Sequence, residues 1–377
     1  MKKLLCFALT LTLLISGIVA CAPVTPTEVS PAPDAAQTQA PASEGTETQA
    51  PAPQPSGKKL VVGTMPLTVG VPVQYAFEKG YYKDEGLDVE IVIFPTGAPI
   101  NEAYAANQID VAVSGLASVF SLALGKTCWI GEINTTGGIG IYARPDSPVV
   151  QVKGNVDGYP EIYGSAELVK GMKILGPLGT VSQFNAMKYV EKFGLSTSDY
   201  EQVHMEYGPA YQAFVAGEGD AVALNPPFTF QAEAAGYPCI ASFEDATGVS
   251  LVDGIFTSEK VATERHEDIV RFIRATYKAC AELQDEATRY EISMRWFNEN
   301  GKEYDENALR SEMAVREYID ADFMSKPGYV YGKGMLEIAD FFTSDGKIES
   351  TSLANVPASF DPSFIQEALE IQFEVQK

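Results

Sequence analysis

The chain has 377 residues, with 27 Lys and Arg against 50 Asp and Glu, and a formal net charge of −23 at pH 7. Nucleic-acid binding needs clustered Lys and Arg that neutralise phosphates, so this balance argues against a nucleic-acid partner. Cys128, Cys239 and Cys280 are widely spaced and form neither a disulfide framework nor a CxxC metal pattern. We therefore predict no metal and no cofactor.

The N-terminus carries the pattern of an export signal. Lys2 and Lys3 precede an apolar run over residues 4–19, which is too short for a comfortable membrane span and fits the core of a signal peptide. The run ends in residues 18–21 (IVAC), which resemble the lipobox of bacterial lipoproteins; the alternative is an ordinary signal peptide with a chance cysteine. We predict a leader over residues 1–20, lipidation of Cys21, and an extracytoplasmic protein anchored to the bacterial cell membrane.

Residues 21–57 are rich in Pro, Ala, Thr, Ser and Gln and contain almost no large apolar side chains. Such a stretch cannot bury enough surface to offset its chain entropy, so the composition predicts a solvated tether. Residues 58–377 remain, which is long enough for two lobes with separate cores.

A weak internal repeat appears at an offset of 110 residues. Residues 103–106 (AYAA) and 110–113 (DVAV) align with residues 213–216 (AFVA) and 220–223 (DAVA), and with one inserted residue Cys128 matches Cys239. Coincidence among Ala, Val and Gly is the alternative, but the matches follow one another in order. The series indicates a duplicated unit.

Each copy of the repeat alternates short apolar runs with helical patterns, which predicts right-handed βαβ units and a mainly parallel sheet. The predicted fold class is therefore α/β, with two lobes. The first lobe is predicted over residues 58–143 plus 257–377, including C-terminal helices, and the second over residues 144–256. Predicted strands cover residues 60–63, 89–94, 111–113, 172–175, 202–206 and 221–224; predicted helices cover 71–79 and 182–193; and the extended segments 138–143 and 251–256 are predicted crossovers.

Ligands of open parallel sheets bind beyond the carboxyl ends of the strands. Two facing lobes would surround one cleft with strand-end turns and helix N-termini, which favour an anionic or strongly polar ligand. Capping is the alternative for each turn, because Ser and Thr begin many helices without binding anything. The candidate turns are residues 64–68, 96–98, 114–118, 179–182, 207–208 and 225–228.

Five segments resemble motifs of one known family: residues 80–90 (GYYKDEGLDVE), 94–97 (FPTG), 110–115 (DVAVSG), 142–147 (YARPDS) and 258–260 (SEK). In this order they resemble the substrate-binding proteins of nitrate, sulfonate and taurine ABC importers, including relatives that bind thiamine-pyrimidine precursors.

The resemblance covers roughly residues 58–283 and implies a type II periplasmic-binding-protein fold that closes on a small-molecule ligand. It also implies a monomer that works with an ABC permease and its ATPase subunit, and that the candidate turns line the cleft. The predicted ligand-binding residues are Leu67, Thr68, Thr96, Gly97, Ser114, Gly115, Ser118, Thr180, Val181, Ser182, Tyr207, Asn225 and Phe228.

The chain departs from the family at residues 225–228 (NPPF), where many relatives carry an acidic or Trp-bearing turn. The cleft turns also lack an Arg that could clamp a sulfonate or nitrate with two hydrogen bonds. Tyr207, Tyr211, Phe228 and Phe230 near the second-lobe strand ends therefore favour a small organic ligand over a simple inorganic anion.

Two other functions stay open. The yeast-type pyrimidine synthases are related to this family, so an enzyme is possible on this fold, but His204 and His266 are the only histidines and no HExxH, GxSxG or P-loop motif occurs. We predict that the chain is not an enzyme. A receptor that binds ligand and reports to a sensor protein would use the same closing cleft as an importer.

Overall fold

The computed structural model describes residues 54–248, 251–302 and 304–376. The predicted leader, the lipidation site Cys21 and nearly all of the predicted tether lie outside the described residues. Within the part that is described, none of the helices combines the length and the apolar character that crossing a membrane requires.

The elements alternate in the predicted way. The strands are β1 Leu60–Thr64, β2 Val89–Ile93, β3 Val111–Ser114, β4 Thr127–Thr136, β5 Gly140–Ala143, β6 Lys173–Gly176, β7 Glu201–His204, β8 Ala221–Leu224, β9 Cys239–Ser242, β10 Leu251–Ser258, β11 Val330–Tyr331 and β12 Glu374–Val375. The α-helices are α1 Val71–Lys79, α2 Tyr81–Asp84, α3 Gly97–Ala105, α4 Ser118–Ala123, α5 Ala166–Val169, α6 Val181–Glu191, α7 Tyr207–Val215, α8 Phe228–Ala234, α9 Phe243–Thr247, α10 Glu259–Glu264, α11 His266–Glu282, α12 Glu286–Glu299, α13 Glu306–Val315, α14 Ala321–Met324, α15 Lys333–Ser344, α16 Asn355–Ala358 and α17 Ser363–Leu369.

Two five-stranded sheets form the frame, in the orders β2-β1-β3-β10-β4 and β7-β6-β8-β5-β9. In the first sheet only β10 runs antiparallel to its neighbours, and in the second only β5 does. The two sheets therefore match strand by strand, and the predicted α/β class with two mainly parallel sheets is confirmed.

The middle strands of both sheets are buried along their whole length. Every residue of β3 (VAVS) and β8 (AVAL) is buried, as expected for parallel strands with helices on both faces. Continuous apolar runs of this kind made these strands recognisable in the sequence. Their carboxyl ends, at Ser114 and Leu224, point the following turns toward the space between the sheets.

The two crossing segments lie in the opposite sheets from those expected. Residues 140–143 were assigned to the first lobe, but β5 pairs with β8 and β9 of the second sheet. Residues 251–256 were assigned to the second lobe, but β10 pairs with β3 and β4 of the first. The chain thus changes sheet before each of these strands. In the second sheet β5 lies between β8 and β9, and in the first sheet β10 lies between β3 and β4. The lobes as units of motion stay a prediction.

The C-terminal helices pack mainly on the first lobe but also reach the second. The apolar face of α11 is buried, and Phe272 stacks on Tyr82 with ring centroids 5.2 Å apart. Phe341 of α15 contacts Phe184 of α6, with ring centroids 4.2 Å apart. Helix α15 therefore joins the two lobes through an aromatic contact.

Candidate ligand-binding site

A cavity lies where the strand-end turns of both sheets meet. The space within it, part of which is open to solvent, is about 730 Å³. The lining residues are Met65, Leu67, Pro95, Thr96, Gly97, Ser114, Gly115, Leu116, Ala117, Thr136, Ile139, Gly179, Thr180, Val181, Tyr207, Asn225, Leu251, Val252, Asp253, Lys302 and Arg316.

Much of the wall is apolar. Leu116 follows β3, Ile139 precedes β5, and Leu251 begins β10; all three are almost completely buried. Met65, Leu67, Val181 and Val252 complete this part of the wall. Such a surface fits a ligand with a hydrocarbon or ring body rather than a small inorganic ion.

The first lobe supplies buried hydroxyls without partners. Ser114 is fully buried and lines the cavity, and its Oγ has no hydrogen-bond partner among the described residues. The Oγ1 atom of Thr136, also on the wall, is likewise buried and has no hydrogen-bond partner among the described residues. A buried hydroxyl that stays unpaired costs free energy, about 1–3 kcal/mol. Both groups are therefore suited to hydrogen-bond a polar ligand.

Asp253 places a carboxylate on the same wall. Its Oδ2 accepts a hydrogen bond from Asn134 Nδ2 at 2.8 Å. Burial raises the pKa of the Asp253 carboxyl above its usual value, and nearby Arg316 opposes that shift. Gly115 lies directly beside it, since a Cβ at that position would be 2.6 Å from Asp253 Oδ1. The carboxyl can receive a donor group of a ligand.

The second lobe presents groups that are already partnered. Thr180 Oγ1 donates to Pro177 O at 2.9 Å, and the Tyr207 hydroxyl accepts from Ser182 Oγ at 3.3 Å. Burial raises the pKa of the Tyr207 phenol, so this hydroxyl keeps a proton that it can donate. Asn225 Oδ1 accepts from Arg316 Nη2 at 2.5 Å.

The two cations of the wall, Arg316 and Lys302, come from the C-terminal region. Arg316 is 3% exposed and follows α13 directly. Partial burial lowers the pKa of the Lys302 ammonium. The strand-end turns lack an Arg, as the sequence indicated, but the cavity does not. The available signal was the spacing of Glu312 and Arg316, which are one helical turn apart.

Most of the predicted site residues lie on the cavity wall, although their role in binding stays a prediction. Four do not line it. Thr68 donates to Glu312, Ser182 donates to Tyr207, Ser118 is fully buried, and Phe228 packs on Tyr211 with ring centroids 6.0 Å apart. The predicted residues on the wall are Leu67, Thr96, Gly97, Ser114, Gly115, Thr180, Val181, Tyr207 and Asn225.

The histidines lie in separate surroundings. His204, at the end of β7, accepts a hydrogen bond on Nδ1 from the Leu178 amide at 3.1 Å. His266 Nε2 lies 2.8 Å from Glu367 Oε2. Neither is part of the cavity wall. In the described ranges, no three His, Cys, Asp or Glu side chains are grouped to hold a metal ion.

Comparison with known proteins gives consistent matches. A family model described as NMT1/THI5 like matches residues 68–156 and 164–287. A protein of Brachyspira hyodysenteriae, named as an ABC transporter periplasmic binding protein, is 32% identical over 312 residues, which cover 82% of this chain and 89% of that protein. An aliphatic sulfonates-binding protein of Bacillus subtilis is 26% identical over 317 residues, covering 79% of this chain and 85% of that protein.

A solved structure shares the fold. The alkanesulfonate-binding protein SsuA of Xanthomonas axonopodis pv. citri, bound to MOPS, superposes with a TM-score of 0.61 at 18% identity, covering 81% of this chain and 99% of that one. The family-model match ends at residue 287. Lys302 and Arg316 therefore lie beyond it.

Proposed function

Because this chain belongs to the NMT1/THI5-like family, we propose that it captures a small polar or anionic organic solute between its two lobes. Its class is that of the substrate-binding proteins of ABC importers, which deliver the solute to a membrane permease and its ATPase. The observation that carries the proposal is the cavity between the two sets of strand-end turns, with its apolar wall and its unpaired Ser114 hydroxyl.

We further propose that the solute is an organic sulfonate or a similar oxygen acid. The apolar wall accommodates an organic body, while Ser114, Thr136 and Arg316 offer donors to acid oxygens. Asp253 can accept from an amine or amide on the same solute. The names of the relatives support this class, since one is named as an aliphatic sulfonates-binding protein and another was solved with MOPS.

Calorimetric titration with MOPS, ethanesulfonate and nitrate tests the proposal. MOPS combines a ring amine with a sulfonate, so we expect it to bind most tightly and nitrate not to bind. Val181→Trp would fill the cavity and should abolish binding, whereas Val215→Trp on the exposed side of α7 is the matched control. Retained MOPS binding in Val181→Trp would exclude this cavity as the site, and no binding of any sulfonate would exclude the ligand class.

Two alternatives are tested separately. Family and fold point to a transport role, and we propose that the chain is not an enzyme; incubation with MOPS followed by mass spectrometry should recover the compound unchanged.

A receptor for a sensor system would use the same cavity. Neighbouring genes for a permease and an ATPase would support import, and a neighbouring sensor kinase would support signalling.

The location of the protein is a further proposal. The residues before Cys21 support a lipid anchor after export, with the mature protein extracytoplasmic and monomeric. Cys21→Ser should then release the protein from the membrane pellet into a soluble fraction, where light scattering should give a monomer mass. A Cys21→Ser protein that stays in the pellet would contradict the anchor.

A further inference from the structure

We propose that Arg316, which lies beyond the family-model match, binds the acid group of the solute and at the same time links the two lobes. The inference rests on the proposed function, because it places the solute in the same cavity. It adds a residue from the C-terminal region to a site otherwise built from the duplicated lobes.

The backbone at Arg316 is fixed to the first lobe. Residues 317–319 pair with the end of β4: the Thr135 amide donates to Glu317 O at 2.9 Å, and the Ile319 amide donates to Ile133 O at 2.7 Å. The Glu317 amide also donates to Thr135 Oγ1 at 2.9 Å. The backbone of Arg316 therefore lies at the edge of the first sheet, beside the end of β4, after which the chain crosses to the second sheet.

The side chain reaches from this edge to the crossover and to the second lobe. Arg316 Nε donates to Gly137 O at 3.0 Å, and Nη2 donates to Asn225 Oδ1 at 2.5 Å. Asn225 follows β8, in the middle of the second sheet. One buried guanidinium thus contacts the crossover and the second lobe, while the backbone beside it is held to the first lobe.

A buried carboxylate compensates the charge. Arg316 Nη1 lies 3.3 Å from Glu312 Oε1, and both side chains are at most 3% exposed. Glu312 also accepts from the hydroxyls of Thr68 and Tyr304. Since Thr68 adjoins the cavity residue Leu67, the carboxylate is held to the first lobe. Removal of either charge alone would leave its partner buried and unpaired.

The guanidinium has donors left for a solute. An Arg side chain carries five N–H groups, and its contacts with Gly137, Asn225 and Glu312 do not use all of them. Arg316 lies on the cavity wall together with the unpaired hydroxyls of Ser114 and Thr136. The planar fork matches the oxygens of a sulfonate or carboxylate. A solute bound there is held by the same group that holds Asn225, so occupancy and lobe position are coupled.

The test compares Arg316→Lys with Arg310→Lys. The first change keeps the charge beside Glu312 and removes the fork. Arg310 is an exposed residue of α13 that pairs with surface carboxylates and lies over the Tyr290 ring, away from the cavity wall. We expect Arg316→Lys to weaken MOPS binding at least about tenfold in calorimetry. In the ligand-free protein it should accelerate amide exchange over residues 137–140 and at residues 225, 228 and 229 about fivefold or more. Arg310→Lys should change neither quantity.

A second variant tests the link between the lobes even if Arg316→Lys does not fold. Asn225→Ala removes the second-lobe acceptor and leaves the buried ion pair intact, and should accelerate exchange over residues 137–140 as well. Wild-type exchange in both variants would overturn the link between the lobes, and unchanged MOPS affinity in Arg316→Lys would overturn the binding role. If the wild type binds no sulfonate, the proposed ligand class is wrong. The exchange rates of the two variants then still test whether Arg316 links the lobes.

Discussion

The two sheets have the same strand order but present different chemistry to the cavity. Gly254 of β10 lies opposite Ser114 of β3, and Gly140 of β5 lies opposite Leu224 of β8. Ser114 and Leu224 are also the two positions that the 110-residue offset relates. The residues before the glycines correspond in turn, and they are Asp253 in the first sheet and Ile139 in the second, both on the wall.

The difference shows how a duplicated frame acquires an oriented site. The first lobe carries Ser114 and Asp253 where the second carries Leu224 and Ile139. At these equivalent positions the first lobe is polar and the second apolar, whereas Thr180, Tyr207 and Asn225 place polar groups elsewhere on the second-lobe wall. Arg316, which belongs to neither copy, adds a cation to the boundary between them.

The largest expected effect comes from the paired glycines. A Cβ at Gly254 would overlap the backbone oxygen of Gly131 and the ring of Trp129, whereas at Gly140 it would lie 2.9 Å from Cys239 Sγ and from the Tyr142 ring. Side chains can shift more easily than a sheet backbone. We expect Gly254→Ala to lower the free energy of unfolding by more than about 3 kcal/mol, and Gly140→Ala by roughly 1–2 kcal/mol. Urea denaturation measures both, and equal losses would contradict the packing difference.

The next effect concerns Glu132 of β4, which pairs with Gly254, and Ser242 of β9, which pairs with Gly140. Burial raises the pKa of the Glu132 carboxyl to about 7; it accepts from Tyr329 OH at 2.7 Å and from the Gly332 amide at 2.9 Å. Because the folded protein holds this proton more tightly than the unfolded chain, stability should fall as pH rises from about 4.5 to about 7.

Glu132→Gln should remove this contribution, which is at most roughly 3 kcal/mol. Unfolding free energies of the variant and the wild type, measured from pH 4.5 to 7.5, should therefore diverge in slope. Ser242→Ala is the matched control: it removes the α9 cap, in which Ser242 Oγ accepts from the Asp245 amide at 3.0 Å. It should cost about 1 kcal/mol at every pH. Parallel profiles for wild type and Glu132→Gln would refute the assignment.

The smallest effect on stability is expected at Ser114. Its hydroxyl has no partner among the described residues, so Ser114→Ala should change the free energy of unfolding by less than about 0.5 kcal/mol. The affinity for MOPS should fall about tenfold, because the acid group loses a donor. Ser118→Ala removes a hydroxyl that is equally buried and also has no partner among the described residues but does not line the cavity, and it should leave the affinity unchanged. Equal affinities in the two variants would argue against the polar role of the first lobe.

The sequence was informative where a local pattern decides the structure. The helix over residues 71–79 and the strand over residues 221–224 have the predicted bounds, since their apolar periods and flanking residues are local. Sheet membership of β5 and β10 was wrong, because an extended apolar segment looks the same in either sheet. Ser114 ends β3 and lines the cavity, whereas Ser118 begins α4 and does not; the path of the turn between them is not set by a local pattern.

Arg316 could not be predicted from the turns. Its position depends on the pairing of residues 317–319 with β4, a long-range contact that has no counterpart in the internal repeat. Lys302, also on the wall, likewise lies outside the internal repeat. Site residues supplied by a segment outside the duplication leave only weak local signals, such as the Glu312 and Arg316 spacing, in the sequence.

The place of β10 also sets an order for folding. All five strands of the second sheet come from one continuous segment, residues 140–242, whereas the first sheet stays open between β3 and β4 until residues 251–258 arrive. Strand pairs that close long loops form slowly, because the chain loses entropy before the contacts form. During synthesis and refolding, amides of β8 should therefore become protected from exchange before those of β3, and the N-terminal lobe should be the last to complete.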